Sequence, residues 1–319
     1  MAWLCRQQAE QVERALASDL VDQLLLHAML TGGLDRRLPK PLTDRLGLRR
    51  LTTAVKVIRQ DHVMREVGSL LDEHGVEAVV FKGALVRHML YAKPYLRPSA
   101  DIDVLVAPAD VREVARSFED RGFSVTLASH SDTHEVWIER HGVGIDLHWT
   151  WLRPGRMRRD TTAEILATRV RRGDLWGPND THLTVLMLVH PAITDHVTGR
   201  LISAVDLDRW LRKAQIPWDS VVEVLDRIGL RTAAWAMLHW TRGLFGTPVP
   251  DEVWRALAPS LLRQRYIEAW LRRHPARLYR QRPTLVRGAF SLALQDRPSD
   301  AARALWRLAR KDRLCLDQT

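Results

Sequence analysis

The chain has 319 residues, 46% of them hydrophobic and 27% charged, which excludes a mainly disordered or fibrous protein. No run of the sequence approaches the ~18 apolar residues that a membrane-spanning helix needs, and the first residues lack the apolar segment of a secretory signal. The only cysteines, Cys5 and Cys315, form neither a disulfide framework nor a zinc motif. We therefore expect a soluble, cytoplasmic protein that has no membrane partner and consists of one large or two ordinary domains.

The chain is basic, with 48 lysines and arginines against 38 acidic residues and a net charge of +10. Such a surplus attracts anions, whether nucleotides, phosphates or nucleic acid. A solvated arginine-rich surface has the same composition, so the charge alone does not identify a partner.

The N-terminal part, residues 1–75, is predicted to be a helical segment. Apolar residues recur at helical spacing from Ala9 to Leu30 and again from Thr43 to Leu71. The glycines after Thr31, together with Pro39 and Pro41, predict a loop between these helices.

The middle part, residues 76–151, changes to a pattern of short strands and helices. The apolar run 78–81 predicts a buried strand, and a short helix from 84 to 91 follows the pair Lys82-Gly83. A proline-containing loop then leads to a strand at 101–106 and a helix that ends near Gly122. Further strands are predicted at 123–127, 134–139 and 143–149. This order predicts a small mixed sheet with helices packed against it.

From residue 152 to 319 the pattern is helical, with breaks at glycines and prolines. The segment from Leu183 to Val189 is apolar nearly all round, so we expect a buried helix there. The fold class is therefore α+β, with a small mixed β-sheet core flanked by an N-terminal helical segment and a larger C-terminal helical domain.

Three aspartates are the strongest candidates for chemistry. Asp101 and Asp103 alternate with apolar residues, so both project from one face of their strand, and Asp146 has the same setting between Ile145 and Leu147. Magnesium binds carboxylate oxygens together with substrate phosphates, and three carboxylates on adjacent strands can hold two ions. We predict two Mg²⁺ ions bound by Asp101, Asp103 and Asp146.

Like charges this close repel each other unless a cation lies between them. Neutralising any of the three aspartates should therefore leave the cation-free protein as stable as before, or slightly more stable.

Candidate phosphate-binding residues lie around these acids. A glycine between a strand and a helix lets the backbone approach a ligand closely, and the following helix N-terminus attracts phosphate, so Lys82 and Gly83 are candidates. Arg97, just before the acidic strand, can neutralise triphosphate charge. His148, two residues after Asp146, lies on the same strand face and is a candidate contact, although such a histidine is more often part of the core.

The motifs Phe81-Lys-Gly-Ala, Leu96-Arg97, Asp101-Ile-Asp-Val-Leu-Val, Gly122-Phe123 and Ile145-Asp-Leu-His-Trp together resemble the DNA polymerase β-type nucleotidyltransferase superfamily, and within it an uncharacterised bacterial branch. The resemblance is strongest over residues 78–149. It implies transfer of a nucleoside monophosphate from an NTP, with magnesium held by Asp101, Asp103 and Asp146. Where the wider superfamily has Gly-Ser at its phosphate-binding turn, this chain has Lys82-Gly83.

The leading hypothesis is a magnesium-dependent nucleotidyltransferase that uses an NTP such as ATP. The acceptor would be a hydroxyl or phosphate of a small molecule, sugar or modified peptide in a specialised biosynthetic pathway. One alternative keeps the active site but acts on tRNA or another nucleic acid, as nucleotidyltransferase toxins do. Another is a protein of the same fold that binds a nucleotide or a partner without turnover.

Overall fold

The structure is a computed structural model, and it describes residues 6–33, 39–126, 135–273 and 284–309. The N-terminal part consists of three helices, α1 (Arg6–Ser18), α2 (Asp22–Thr31) and α3 (Lys40–Glu73). The predicted helix from Ala9 to Leu30 is therefore two helices, and they separate where Leu20 takes a left-handed φ of 58°.

The prediction of a loop at Pro39 and Pro41 is wrong in part, because α3 begins at Lys40 and includes Pro41. Proline is well tolerated in the first turn of a helix, where its missing N–H would have no partner in any case. The 34-residue helix α3 continues to Glu73 and packs its second half against the sheet.

The sheet has five strands, in the order β1-β2-β5-β4-β3, and it confirms the predicted mixed sheet. Strand β2 pairs with β1 in the antiparallel sense and with β5 in the parallel sense, whereas β5, β4 and β3 form an antiparallel meander. The strands and intervening helices are β1 (Ala78–Phe81), α4 (Lys82–Leu90), β2 (Ile102–Val106), α5 (Val111–Asp120), β3 (Ser124–Thr126), β4 (Glu135–Arg140) and β5 (Val143–His148).

The strand predictions agree with the structure at β1, β2 and β5 within a residue at each end. Helix α4 begins at Lys82, two residues before the predicted start, so the pair Lys82-Gly83 forms its first turn instead of a separate loop. The predicted residues 127 and 134, at the ends of two strands, lie outside the described residues.

The C-terminal part is mainly helical, as predicted. Its described helices are α6 (Thr162–Ala167), α7 (Asp180–Thr194), α8 (Leu201–Lys213), α9 (Trp218–Ile228), α10 (Arg231–Phe245), α11 (Asp251–Leu257), α12 (Leu261–Arg273), α13 (Thr284–Ala293) and α14 (Pro298–Ala309). The expectation of helices throughout is wrong at one place, where β6 (Val170–Arg172) and β7 (Leu175–Gly177) form a hairpin. Arg171 covers the ring of Trp176 there, with its guanidinium carbon 4.2 Å from the ring centroid.

A continuous hydrophobic core joins the sheet to the C-terminal helices. Helix α7 buries residues all around its circumference, which confirms the apolar helix expected near Leu183. A smaller cluster, formed by Ala9, Leu26, Leu42 and Leu46, holds the N-terminal helices together. In the part of the chain that the structure describes, no helix combines the length and apolar character needed to cross a membrane.

Candidate active site

A cavity of about 310 Å³ separates the sheet from helices α7 and α8. The sheet side of the cavity is polar and acidic, with Asp101, Asp103, Asp146 and Glu135 among its lining residues. The opposite side combines apolar residues with a few polar ones. This volume lies at the lower end of the range for small-molecule sites.

The strand register brings the acids together. Because β2 and β5 are parallel neighbours, Asp103 lies directly beside Asp146. On the other side of β5, β4 places Glu135 opposite His148. Asp101 precedes the first residue of β2 and lines the same cavity. The structure therefore gathers all three predicted aspartates at one end of the paired strands.

Asp103 is nearly fully buried, and its Oδ1 atom contacts two cationic or hydrogen-bonding groups. Lys82 Nζ lies 2.6 Å from it and His148 Nε2 lies 3.0 Å from it. Burial alone would raise the pKa of Asp103, but Lys82 and the hydrogen bond from His148 lower it well below its ordinary value. Asp103 is thus ionised at neutral pH.

The pKa of Asp146 is shifted in the opposite direction to that of Asp103. Burial, followed by the negative charges of Asp103, Asp101 and Glu135, raises the pKa of Asp146 to about 7. Burial and the charge of Asp103 also raise the pKa of Asp101, against the opposing effects of Lys82 and Arg200. The site therefore holds more carboxylates than its cations neutralise, which is the setting that a divalent cation stabilises.

The donor atoms also fit a metal ion. Among the described residues, ligand atoms of Asp103, Asp146 and His148 all lie within 4.8 Å of one another. Asp101 is not in this group, although the charge of Asp103 acts on it. His148, predicted as a phosphate contact, is buried and hydrogen-bonded to Asp103.

Lys82 is held in an unusual backbone conformation. It is the first residue of α4, and its φ of 54° lies in the left-handed region that residues other than glycine rarely adopt. Such strain is often found at functional sites and persists only where the surrounding structure enforces it. In this conformation the Lys82 ammonium lies 2.6 Å from Asp103 Oδ1, at the edge of the cavity.

Gly83 is required by close packing. A Cβ atom on this residue would lie 2.2 Å from Arg97 Nη1 and 2.5 Å from Ser99 Oγ. The loop that carries Arg97 therefore packs directly against the backbone at the start of α4.

Arg97 has a firmly held partner that the sequence did not indicate. Its Nε and Nη2 donate to Asp206 Oδ2 at 3.0 and 2.7 Å, and the Tyr91 hydroxyl donates to the other carboxylate oxygen. Burial would lower the pKa of Arg97, but Asp206 raises it above its ordinary value. Arg97 still lines the cavity, so its charge acts there from within a buried ion pair.

The side of the cavity opposite the sheet contributes residues to which the sequence assigns no role. Arg200, which precedes α8, adds positive charge, and Leu183, Met187 and Ile202 add apolar surface. Arg153, from the segment between β5 and α6, adds a further positive charge. No local motif marks these residues, because only long-range packing brings them to one cavity.

The loop between α7 and α8 is tightly folded next to the cavity. His196 and Val197 both have a positive φ, and Val197 is fully buried. The Gly199 amide donates to the Asp195 carbonyl at 2.8 Å, and a Cβ on Gly199 would lie 2.5 Å from that same oxygen. The loop is therefore fixed by its own packing, and it places Asp195 and Arg200 at the cavity.

The mixed sheet and its acid cluster agree with the nucleotidyltransferase class expected from the sequence motifs. The chain belongs to the uncharacterised nucleotidyltransferase family, whose sequence model matches residues 7–246. It is thus a nucleotidyltransferase enzyme. None of the curated proteins matches the sequence significantly.

Several solved structures are similar. The crystal structure of ANT(2″)-Ia in complex with adenylyl-2″-tobramycin is 14% identical, covers 52% of this chain and 94% of its own, and has a TM-score of 0.39. A tRNA nucleotidyltransferase complexed with a primer tRNA and an incoming ATP analogue is 13% identical, covers 75% and 79% of the two chains, and has a TM-score of 0.23.

Proposed function

We propose that the chain transfers a nucleoside monophosphate from an NTP such as ATP to a hydroxyl or phosphate of a small acceptor. The transfer would depend on Mg²⁺, with two ions held by Asp101, Asp103 and Asp146. The main support for this proposal is one observation: a single cavity borders these three carboxylates, Lys82 and the first turn of α4.

The donor phosphates would bind at the start of α4. Lys82 lines the cavity with a quarter of its side chain exposed, so its ammonium can reach a ligand. The first amides of α4 have no partner within the helix and favour an anion. Gly83 leaves room for close approach, and Arg97, with N–H donors beyond those given to Asp206 and Pro98, adds positive charge.

The acids would position the reacting groups. When bound, Mg²⁺ would neutralise charge on the triphosphate and make the attacking oxygen a better nucleophile. Asp101 and Asp103 would face the donor, since both lie near Lys82. Asp146 lies beyond Asp103, toward Glu135, so it would orient the acceptor oxygen, with direct removal of the acceptor proton as the alternative role.

The helical wall supports a small acceptor. Leu183, Met187 and Ile202 offer apolar surface, whereas Ser203 and Thr194 offer hydroxyl groups. A cavity of about 310 Å³ between two walls suits a small molecule, a sugar or a peptide side chain better than a folded nucleic acid. An acceptor of this kind would be the substrate of a specialised biosynthetic pathway.

A transfer assay tests the proposal. The purified full-length chain would be incubated with each of four α-³²P-labelled NTPs, Mg²⁺, and separate pools of amino sugars, hydroxylated small molecules, peptides and bulk tRNA. We expect label to move to a small-molecule or peptide pool with release of pyrophosphate, and no transfer in EDTA. Asp103→Asn should abolish transfer, whereas Asp120→Asn, an exposed aspartate at the end of α5, is the matched control.

Three other outcomes would contradict parts of this proposal. Label on tRNA alone would replace the small acceptor with a nucleic acid. Magnesium-dependent NTP binding without transfer to any pool would favour a binding protein. Undiminished transfer by a folded Asp103→Asn protein would remove the acids from the mechanism.

A further inference from the structure

Two carboxylates flank the buried imidazole of His148, which belongs to the possible metal-binding group. His148 Nε2 lies 3.0 Å from Asp103 Oδ1, and His148 Nδ1 lies 3.4 Å from Glu135 Oε2. The imidazole is 1% exposed, and the ring of Phe81 packs against it edge to face at 5.2 Å. His148 therefore cannot turn freely, and both of its ring nitrogens face carboxylates.

We propose that His148 is a metal ligand held in position by Glu135, and that it makes the Asp103–Asp146–His148 group select a first-row transition ion such as Mn²⁺ over Mg²⁺. The inference deepens the proposed function and rests on it, since it names the cation preference of the same site and replaces one of the two Mg²⁺ ions proposed above with a transition ion. Glu135 acts here as a positioning residue, because it touches His148 and not the reacting atoms.

The distances support His148 as a ligand. Two donor atoms bound at about 2.1 Å and at right angles to the same ion lie about 3.0 Å apart. The measured separation of His148 Nε2 and Asp103 Oδ1 is 3.0 Å, so both can bind one ion without moving apart once the ion replaces the proton between them. Asp146 completes a set of donors within 4.8 Å.

The orientation of the ring supports the role of Glu135. A metal-binding histidine commonly donates its other ring N–H to a carboxylate, which fixes the tautomer and makes the ligand more basic. Glu135 lies on β4 opposite His148 in the register of the sheet, so the backbone pairing itself sets this contact.

The donor type supports the selectivity. Mg²⁺ binds oxygen ligands almost exclusively, whereas imidazole nitrogen favours transition ions. A site of three carboxylates has no nitrogen donor to discriminate between these ions. Asp101 lies outside the Asp103–Asp146–His148 group. An NTP could therefore still bind as its Mg²⁺ complex near Asp101, while a separate Mn²⁺ ion occupies the group that contains His148.

Pulsed electron paramagnetic resonance of bound Mn²⁺ tests the proposal directly, because a coordinated imidazole gives a nitrogen modulation. We expect this modulation in the full-length protein with Mn²⁺, both alone and with α,β-methylene ATP. It should change from the ¹⁴N to the ¹⁵N pattern when only histidines carry ¹⁵N. It should vanish in His148→Asn and persist in His190→Asn, a histidine that lines the same cavity.

Binding constants test the selectivity and the role of Glu135. Mn²⁺ should bind the unaltered protein more tightly than Mg²⁺ does. His148→Asn should lose Mn²⁺ affinity by at least the roughly 10–100-fold that loss of a residue supporting a ligand costs, with little change for Mg²⁺. Glu135→Ala should weaken Mn²⁺ binding in the same direction, with partial recovery in Glu135→Gln. The Glu135 side chain is about a third exposed, so these variants should fold even if His148→Asn does not.

An absent nitrogen modulation in the unaltered protein would overturn the proposal, as would equal losses of Mn²⁺ and Mg²⁺ affinity in the His148 and Glu135 variants. This failure differs from failure of the proposed function. Nucleotidyl transfer without nitrogen coordination would leave the function standing, whereas nitrogen coordination without transfer from any NTP would leave the metal site standing and reject the transfer.

Discussion

Lys82 Nζ lies 2.6 Å from Asp103 Oδ1, and this ion pair makes the pKa of Asp103 differ from those of Asp101 and Asp146. The pKa of Asp103 is lowered well below its ordinary value by Lys82 and His148, against the opposing effect of burial. The pKa of Asp146 is raised to about 7 by burial and by its acidic neighbours. The pKa values of three aspartates that look equivalent in the sequence are therefore shifted in different directions: downward for Asp103, and upward for Asp101 and Asp146.

Asp146→Asn should raise the stability of the cation-free protein in a pH-dependent manner. The pKa of an unfolded aspartate is about 3.9, so a folded value near 7 means that ionisation of Asp146 destabilises the fold as pH rises from about 4 through 7. Asparagine stays neutral. Thermal unfolding in EDTA should show nearly equal Tm values for variant and parent at about pH 4, and the advantage of the variant should grow steadily up to about pH 7. A difference that is constant with pH would contradict this account.

Asp103→Asn should instead lower the stability of the cation-free protein at pH 7. The substitution removes the charge that pairs with Lys82 and His148 in a buried setting, at a cost of about 1–3 kcal/mol. The expectation from sequence alone, that neutralising any of the acids is neutral or stabilising, is thus revised for this residue. Urea denaturation in EDTA, with Asp120→Asn as control, would refute the revision if Asp103→Asn were as stable as the parent.

The sequence was sufficient to predict the elements that carry the acids. The apolar run before Lys82 and the alternation around Asp103 and Asp146 are local patterns, and local patterns predict strands. The contact between Arg97 and Asp206 was beyond such reasoning, because the two residues are 109 positions apart and meet only when α8 packs on the sheet.

Two local features also escaped prediction, for different reasons. The left-handed φ of Lys82 runs against the conformational preference of lysine, so it is imposed by the surrounding structure. The short strands β6 and β7 lie in a segment rich in arginine that lacks the alternation of apolar and polar residues typical of strands. Their facing side chains include Arg171 and Trp176, which pack by a cation–π contact.

Lys82→Ala should mainly raise the KM for the NTP, because a phosphate contact made before the chemical step is largely ground-state binding. Lys82→Gly should have the same kinetic effect and yet be more stable than Lys82→Ala by about 1 kcal/mol, since glycine adopts the φ of 54° without strain. Steady-state kinetics and urea denaturation of the pair measure both effects. A rise only in the KM for the acceptor would contradict this prediction, because it would show that Lys82 contacts the acceptor instead of the NTP.

Gly83→Ala should destabilise the protein by about 1–3 kcal/mol, because its Cβ would overlap Arg97 and Ser99. Arg97 cannot move aside easily while it is paired with Asp206. The matched control is Gly68→Ala, inside α3, where a Cβ meets nothing within 4 Å and the higher helix propensity of alanine should stabilise by up to about 1 kcal/mol. Equal effects of the two substitutions on the urea midpoint would show that the packing around Gly83 is loose.

The most direct measurement of metal-dependent donor binding is calorimetric titration of the full-length protein with α,β-methylene ATP, and with the analogous GTP, CTP and UTP compounds, in Mg²⁺ and in EDTA. We predict that at least one analogue binds tightly with Mg²⁺ and at least tenfold more weakly in EDTA. Asp103→Asn should lose the magnesium effect, and Asp120→Asn should keep it. Equal affinity with Mg²⁺ and with EDTA in the unaltered protein would contradict the central claim that these aspartates bind the NTP through a divalent cation.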